Sequence, residues 1–208
     1  MNLGERWDGI WRSLTAASTP ELIFQSLVEA YTQPARAYHT LDHVQDCLEQ
    51  LDWSRTFAEH PIEVELGLWF HDFVYDTHAS DNEVQSAARA RAALQTSGVA
   101  PDVTARVGQL ILATRHQAAA ASGDAGLIMD IDLSILGREP QEFDRYEANI
   151  RREYQWVAEA EYRMARVQIL DTFLQRATVF QTPAFQARYE EQARANLSRS
   201  IRVLRGGK

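Results

Sequence analysis

Six histidines occur in this chain, and five of them lie between Tyr38 and Asp81. His39 and His43 stand at i, i+4 in Tyr38-His39-Thr40-Leu41-Asp42-His43-Val44; on a helix that spacing puts both imidazoles on one face. His71-Asp72 closes the apolar run Leu66-Gly67-Leu68-Trp69-Phe70. Imidazole and carboxylate together suit a borderline transition metal. His43, His71, Asp72 and one of Asp130 and Asp132 would give a mixed nitrogen–oxygen shell with positions left for water. Such a site activates water and polarises a phosphoryl oxygen. Adjacent helical residues point about 100° apart, so His71 and Asp72 converge only near a helix end. Asp130 and Asp132, at i, i+2, cannot share a helix face. A buried carboxylate needs a partner, so a helix cap or an arginine is the competing role for either one.

Further polar residues are candidates with competing roles. His116, at the end of an apolar helix, suits substrate phosphate or a second metal, and equally the negative end of a helix dipole. Glu83 suits water activation or metal bridging, but Ser80-Asp81-Asn82-Glu83 also reads as a capping box. Arg115, Arg152 and Arg194 could grip phosphate bidentately, with surface salt bridges as the default for each. His78 reads as an exposed loop residue and His60 as a surface turn residue. Cys47, one turn beyond His43, could sit near the metal, with a small buried apolar residue as the competing and preferred reading.

These side chains need a scaffold, and the pattern is helical nearly throughout. Helices are expected at about Leu3–Ala16, from Pro20 after a Thr19 cap through Tyr31, Thr40–Phe57, Pro61–Phe70, Glu83–Thr96 and Pro101–Leu112. A short alanine run, Ala118–Ala121, precedes a break at Ser122-Gly123. Three more helices are expected at Gln141–Tyr154, Glu159–Gln175 and Pro183–Leu204. The fold class is all-α and the chain one domain, with the site core at about 38–136.

A net charge of -8 over 208 residues argues against a general nucleic-acid or membrane-surface binder. A small phosphorylated substrate stays compatible, because a bound metal supplies local positive charge. No signal peptide is visible, and no apolar run approaches the ~20 residues of a membrane span. The single cysteine excludes an internal disulfide and fits a reducing cytoplasm.

The order His43, His71-Asp72, Asp132 resembles the HD-domain superfamily of metal-dependent phosphohydrolases. Tyr38 to Val44, Trp69 to Asp72, Asp81-Asn82-Glu83, Asp130-Ile131-Asp132-Leu133, Arg152-Glu153-Tyr154 and Ala193 to Leu197 resemble, more closely, a bacterial family of predicted HD phosphohydrolases. The likeness covers nearly the full length. It implies an HD-domain-like helical bundle with His43, His71, Asp72 and Asp132 as ligands of a divalent transition metal (Mn, Fe, Co, Ni or Zn). Water activated there would attack phosphorus in a small, possibly nucleotide-like, phosphoester. A more distant resemblance to cyclic-nucleotide phosphodiesterases implies that His39 protonates the leaving group. Those enzymes carry a further histidine where this chain has Tyr75. Two alternatives accompany the resemblance. One is an HD-type di-iron oxygenase drawing on His116 and His78; the other is a non-catalytic metal-binding module.

Overall fold

The computed structural model describes residues 2–14, 20–116 and 121–207. Ten α-helices form in it: α1 Leu3–Leu14, α2 Glu21–Tyr31, α3 Leu41–Ser54, α4 Pro61–Phe70, α5 Asn82–Thr96, α6 Pro101–Ala113, α7 Gly123–Asp132, α8 Pro140–Glu153, α9 Glu159–Leu174 and α10 Pro183–Leu204. Among the described residues there is no strand. The chain is an all-α bundle. Proline opens α4, α6, α8 and α10 at their first turn, where its missing N–H costs nothing.

α4 holds the centre. Every residue from Glu63 to Phe70 is buried, as expected of a helix enclosed by others. α3, α5, α6 and α7 surround it. Gly67 lets α7 approach, since a Cβ there would stand 2.7 Å from Ile128 Cδ1. The two acids buried in α4 are both paired. Glu63 receives Arg106 bidentately at 2.7 Å and 2.7 Å, and Glu65 receives Arg6 at 2.6 Å and Arg55 at 2.9 Å. Removing those partners would leave a buried carboxylate uncompensated. Trp7 of α1 meets Trp69 and Phe70 of α4 ring to ring, with centroids 5.5 and 6.2 Å apart, and Phe24 of α2 meets Trp69 at 5.9 Å. These aromatic contacts fasten the first two helices to the centre.

The second half packs as a further layer. The 3-10 turn Leu133–Gly137 after α7 lies against α8 and α10, and α9 packs on α10. Asn196 of α10 ties that turn down, donating to the carbonyls of Leu136 (3.0 Å) and Arg138 (2.8 Å).

Several helix boundaries differ from the sequence expectation. α3 begins at Leu41 with Thr40 as its N-cap, and its expected last turn, Arg55–Phe57, tightens to a 3-10 form. His39 therefore precedes the helix instead of sharing a face with His43. Pro20 is the N-cap of α2 rather than its first residue. Thr19, the end expected for the first helix at Ala16, and Ala118–Ala120 lie outside the described residues. Ser122-Gly123 opens α7, with Ser122 as N-cap and Gly123 at φ +57°, a left-handed conformation that glycine adopts freely. The capping box at Ser80–Glu83 does not form. Asp81 is the N-cap and makes no side-chain cap bond. The Asn82 side chain is engaged with the preceding loop, accepting from Asp76 N–H (3.1 Å) and donating to Asp76 O (2.9 Å). Among the described residues no helix is long and apolar enough to cross a membrane.

Candidate metal centre

Helix ends build the site. His43 lies in the first turn of α3, His71 is the C-cap of α4, and Asp132 is the last residue of α7. His116 follows the C-terminus of α6, and Glu153 is the last residue of α8. The carboxyl ends of α4 and α7 bring their partial negative charge to this point, which favours a cation.

Nε2 of His43 and Nε2 of His71 stand 3.1 Å apart. Asp132 Oδ1 is 3.2 Å from the first and 3.6 Å from the second. Asp72 Oδ2 is 3.1 Å from His71 Nε2 and 3.8 Å from His43 Nε2. Donor atoms held by an ion at about 2.1 Å would lie about 3.0–3.4 Å apart in octahedral or tetrahedral shells; the separations of 3.1, 3.1 and 3.2 Å fall in that range, and those of 3.6 and 3.8 Å lie beyond it. The tautomer fits as well: Nδ1 of His71 donates to the Leu68 carbonyl at 2.8 Å, leaving Nε2 with a lone pair for the centre. His43, Cys47, His71 and Asp132 each offer one ligand atom within 4.8 Å of the others, so this buried group could hold a metal ion.

His71 and Asp72 converge at the end of α4, in the turn that follows Phe70. His71 closes α4 and Asp72 already belongs to the following turn. Arg36 holds that turn, donating to the carbonyls of Asp72 (2.7 Å), Phe73 (3.1 Å) and His39 (3.1 Å).

Charge reinforces the arrangement. Burial works against ionised Asp72, but His71 and His39 hold its carboxyl well below the ordinary range. Burial likewise opposes ionised Asp132, and bonds from His116, His43 and His71 outweigh it. His71 goes the other way: burial pulls it down, and the two aspartates raise it well above its usual value. Two imidazole lone pairs and two carboxylates face one point, which requires a cation between them, whether protons or a metal.

His39 is held from behind. Its Nδ1 lies 2.7 Å from Glu153 Oε2, and Tyr75 donates to the same oxygen at 2.8 Å. Tyr75 stacks on His39 with ring centroids 4.1 Å apart. Burial lowers the His39 pKa, but Asp72 and Glu153 together raise it above the ordinary imidazole value. His39 and His116 both line a cavity of about 490 Å³ beside the ligand cluster.

The structure separates the two aspartates. Asp130 is fully buried and accepts the backbone N–H groups of Gln181 (2.6 Å) and Thr182 (2.7 Å) at the start of α10. It anchors the two residues that lead into α10, and of the two aspartates it is Asp132 that joins the cluster. His116 Nε2 lies 2.8 Å from Asp132 Oδ2, so this histidine belongs with the candidate ligands. Its φ of +54° is the only left-handed non-glycine conformation among the described residues, a strained geometry that suits a site residue. Glu83 lines the cavity, while Arg115 stands 3.9 Å from it in a loose ion pair and is not in the cavity wall. His78 is exposed and stacks on Trp156 at 3.9 Å, and His60 sits in a turn capped by Asp124. Arg152 is exposed; Arg194 is used structurally, donating to the carbonyls of Leu174, Arg176 and Ala177. Cys47 is buried, with Sγ 3.8 Å from both ring nitrogens of His43. Burial, Asp132 and Asp72 push its thiol pKa well up.

No family model, curated protein or solved structure matches the chain.

Proposed function

We propose that this chain is an HD-type metal-dependent phosphohydrolase acting on a small phosphoester. The observation supporting it is the meeting of His43, His71, Asp72 and Asp132 at 3.1–3.8 Å beside a cavity that His39 also lines. Those four residues would hold a divalent transition ion. When bound, that ion supplies Lewis acidity toward water and toward a phosphoryl oxygen. His39 provides the proton. With Nδ1 engaged by Glu153, Nε2 is the nitrogen left for substrate, and the buried carboxylate favours the imidazolium form. As the oxygen of water bonds to phosphorus and the P–O ester bond breaks, His39 protonates the departing oxygen. The proton lost by the water restores His39 by way of solvent. The reading is tested on protein purified without a metal-affinity tag, by metal content and phosphate release from simple esters with Mn, Fe, Co, Ni and Zn. Phosphate release that needs a bound ion is expected; none with any of these ions overturns the reading.

A second reading, a di-iron oxygenase, draws support from Asp132. Oδ1 faces His43 and His71 while Oδ2 faces His116, so Asp132 and His116 would be among the residues holding a second ion. Of the two extra histidines it requires, His116 is in place, and His78 packs on Trp156. Two irons per chain with dioxygen consumption would favour it over hydrolysis.

A further inference from the structure

We infer that the cavity beside His39 takes an apolar or aromatic leaving group, making the substrate class the phosphoester of a hydrophobic alcohol rather than a polyphosphate or sugar phosphate. This rests on the hydrolase reading. In an in-line displacement the leaving group departs on the side of the proton donor, so the alcohol points into the cavity that His39 lines. At about 490 Å³ that cavity has room for a ring and a short chain.

Its walls are more apolar than polar. Tyr146, Ile150, Tyr154, Trp156, Tyr162 and Ile169 are among the lining residues. Two of their polar atoms are engaged within the protein. Tyr146 Oη accepts from Arg166 at 2.8 Å, and Trp156 Nε1 donates to Thr77 Oγ1 at 2.9 Å. At the back of the cavity, Tyr75 Oη donates to Glu153. One lining cation, Arg166, is buried and neutralised by Glu147. Glu83 adds a negative charge. A second phosphate would thus meet the Glu83 carboxylate beside an arginine already engaged by Glu147, and a sugar would face mainly ring and aliphatic surface. Desolvating either without compensation is unfavourable. An aryl or alkyl group instead covers Trp156 and Ile169, which are 52% and 47% exposed; covering such surface is favourable.

The test separates this inference from the hydrolase reading. Isothermal calorimetry on Mn-loaded protein compares 3-phenylpropylphosphonate with propylphosphonate, which mimic the 2-phenylethyl and ethyl phosphates and cannot be hydrolysed. The phenyl compound is expected to bind at least about tenfold more tightly, and Trp156→Ala and Ile169→Asn should each cut that preference to about threefold or less. Equal affinities, or no binding by either, overturn the inference. Phosphate release from 2-phenylethyl and ethyl phosphate is followed in parallel, since their leaving groups have similar basicity. Turnover of both at equal kcat/KM overturns the inference and spares the hydrolase reading. Discrimination between the phosphonates with turnover of neither ester overturns the hydrolase reading and leaves the apolar preference standing.

Discussion

Glu153 and His39 form a part-buried pair that crosses the bundle: Oε2 stands 2.7 Å from Nδ1, and Oε1 accepts the backbone N–H groups of Ala37 (2.8 Å), Tyr38 (2.7 Å) and His39 itself (3.0 Å). One carboxylate at the end of α8 fixes both the ring and the backbone of the candidate proton donor. Glu153→Gln keeps the shape and removes the charge. It should lower kcat by about 10–100-fold while KM changes by less than about threefold. Without the carboxylate the His39 imidazolium is less favoured, so the basic limb of the kcat–pH profile should move to lower pH. If that limb stays in place, Glu153 serves the fold and not the proton.

The same carboxylate makes the native state sensitive to acid. Burial disfavours its ionised form, but bonds from His39 and the backbone outweigh this and hold the pKa at about 2. An unfolded glutamate titrates near 4.3. A depressed carboxyl contributes stability that is fully present above the unfolded value and is lost as pH falls through the folded one. The window is therefore about pH 4.3 down to 2, and the loss about 3 kcal/mol. Urea denaturation at pH 6 and pH 3 should show the gap between wild type and Glu153→Gln shrinking by more than half. A gap that stays constant would sink the assignment.

What was legible in the sequence was local. Apolar periodicity and prolines at helix starts located nearly every helix, and a helix end was the one way His71 and Asp72 could converge. The i, i+4 spacing of His39 and His43 was misleading for an equally local reason: Thr40 caps α3, so His39 lies in the segment before it. Glu153 left no comparable trace. It meets His39 across 114 residues of chain, and no spacing rule encodes such a contact. Arg36 was silent for the same cause, since it works through carbonyl oxygens that every residue possesses. The choice between Asp130 and Asp132 could not be made from spacing, because their difference lies in what α10 brings to one of them.

That difference yields opposite phenotypes. Asp130→Ala would leave the N–H groups of Gln181 and Thr182 without their buried acceptor, costing about 2 kcal/mol and lowering Tm by about 4–8 °C. Its metal content should remain that of the wild type. Asp132→Ala should lose the metal. Thermal melts and metal analysis on the two variants decide the matter; metal loss in Asp130→Ala with an unchanged melt would reverse the two roles.

Cys47 provides the sharpest test of which donors hold the ion. Its Sγ and the donor atoms of His43, His71 and Asp132 lie close enough to share a metal, whereas Asp72 competes for the same place at 3.1 Å from His71 Nε2. A buried thiol whose pKa is pushed well up, by burial and then by Asp132 and Asp72, is a poor ligand until a proton leaves. Asp72 is already ionised, held so by His71 and His39 against burial. Cys47→Ala should therefore keep its metal and bind it with an affinity within about threefold of wild type, while Asp72→Ala and His71→Ala should weaken binding by about 100-fold or more. Competition titration against a chelator measures all three. Loss of metal in Cys47→Ala with retention in Asp72→Ala would make the centre a thiolate site and remove the main support for hydrolysis.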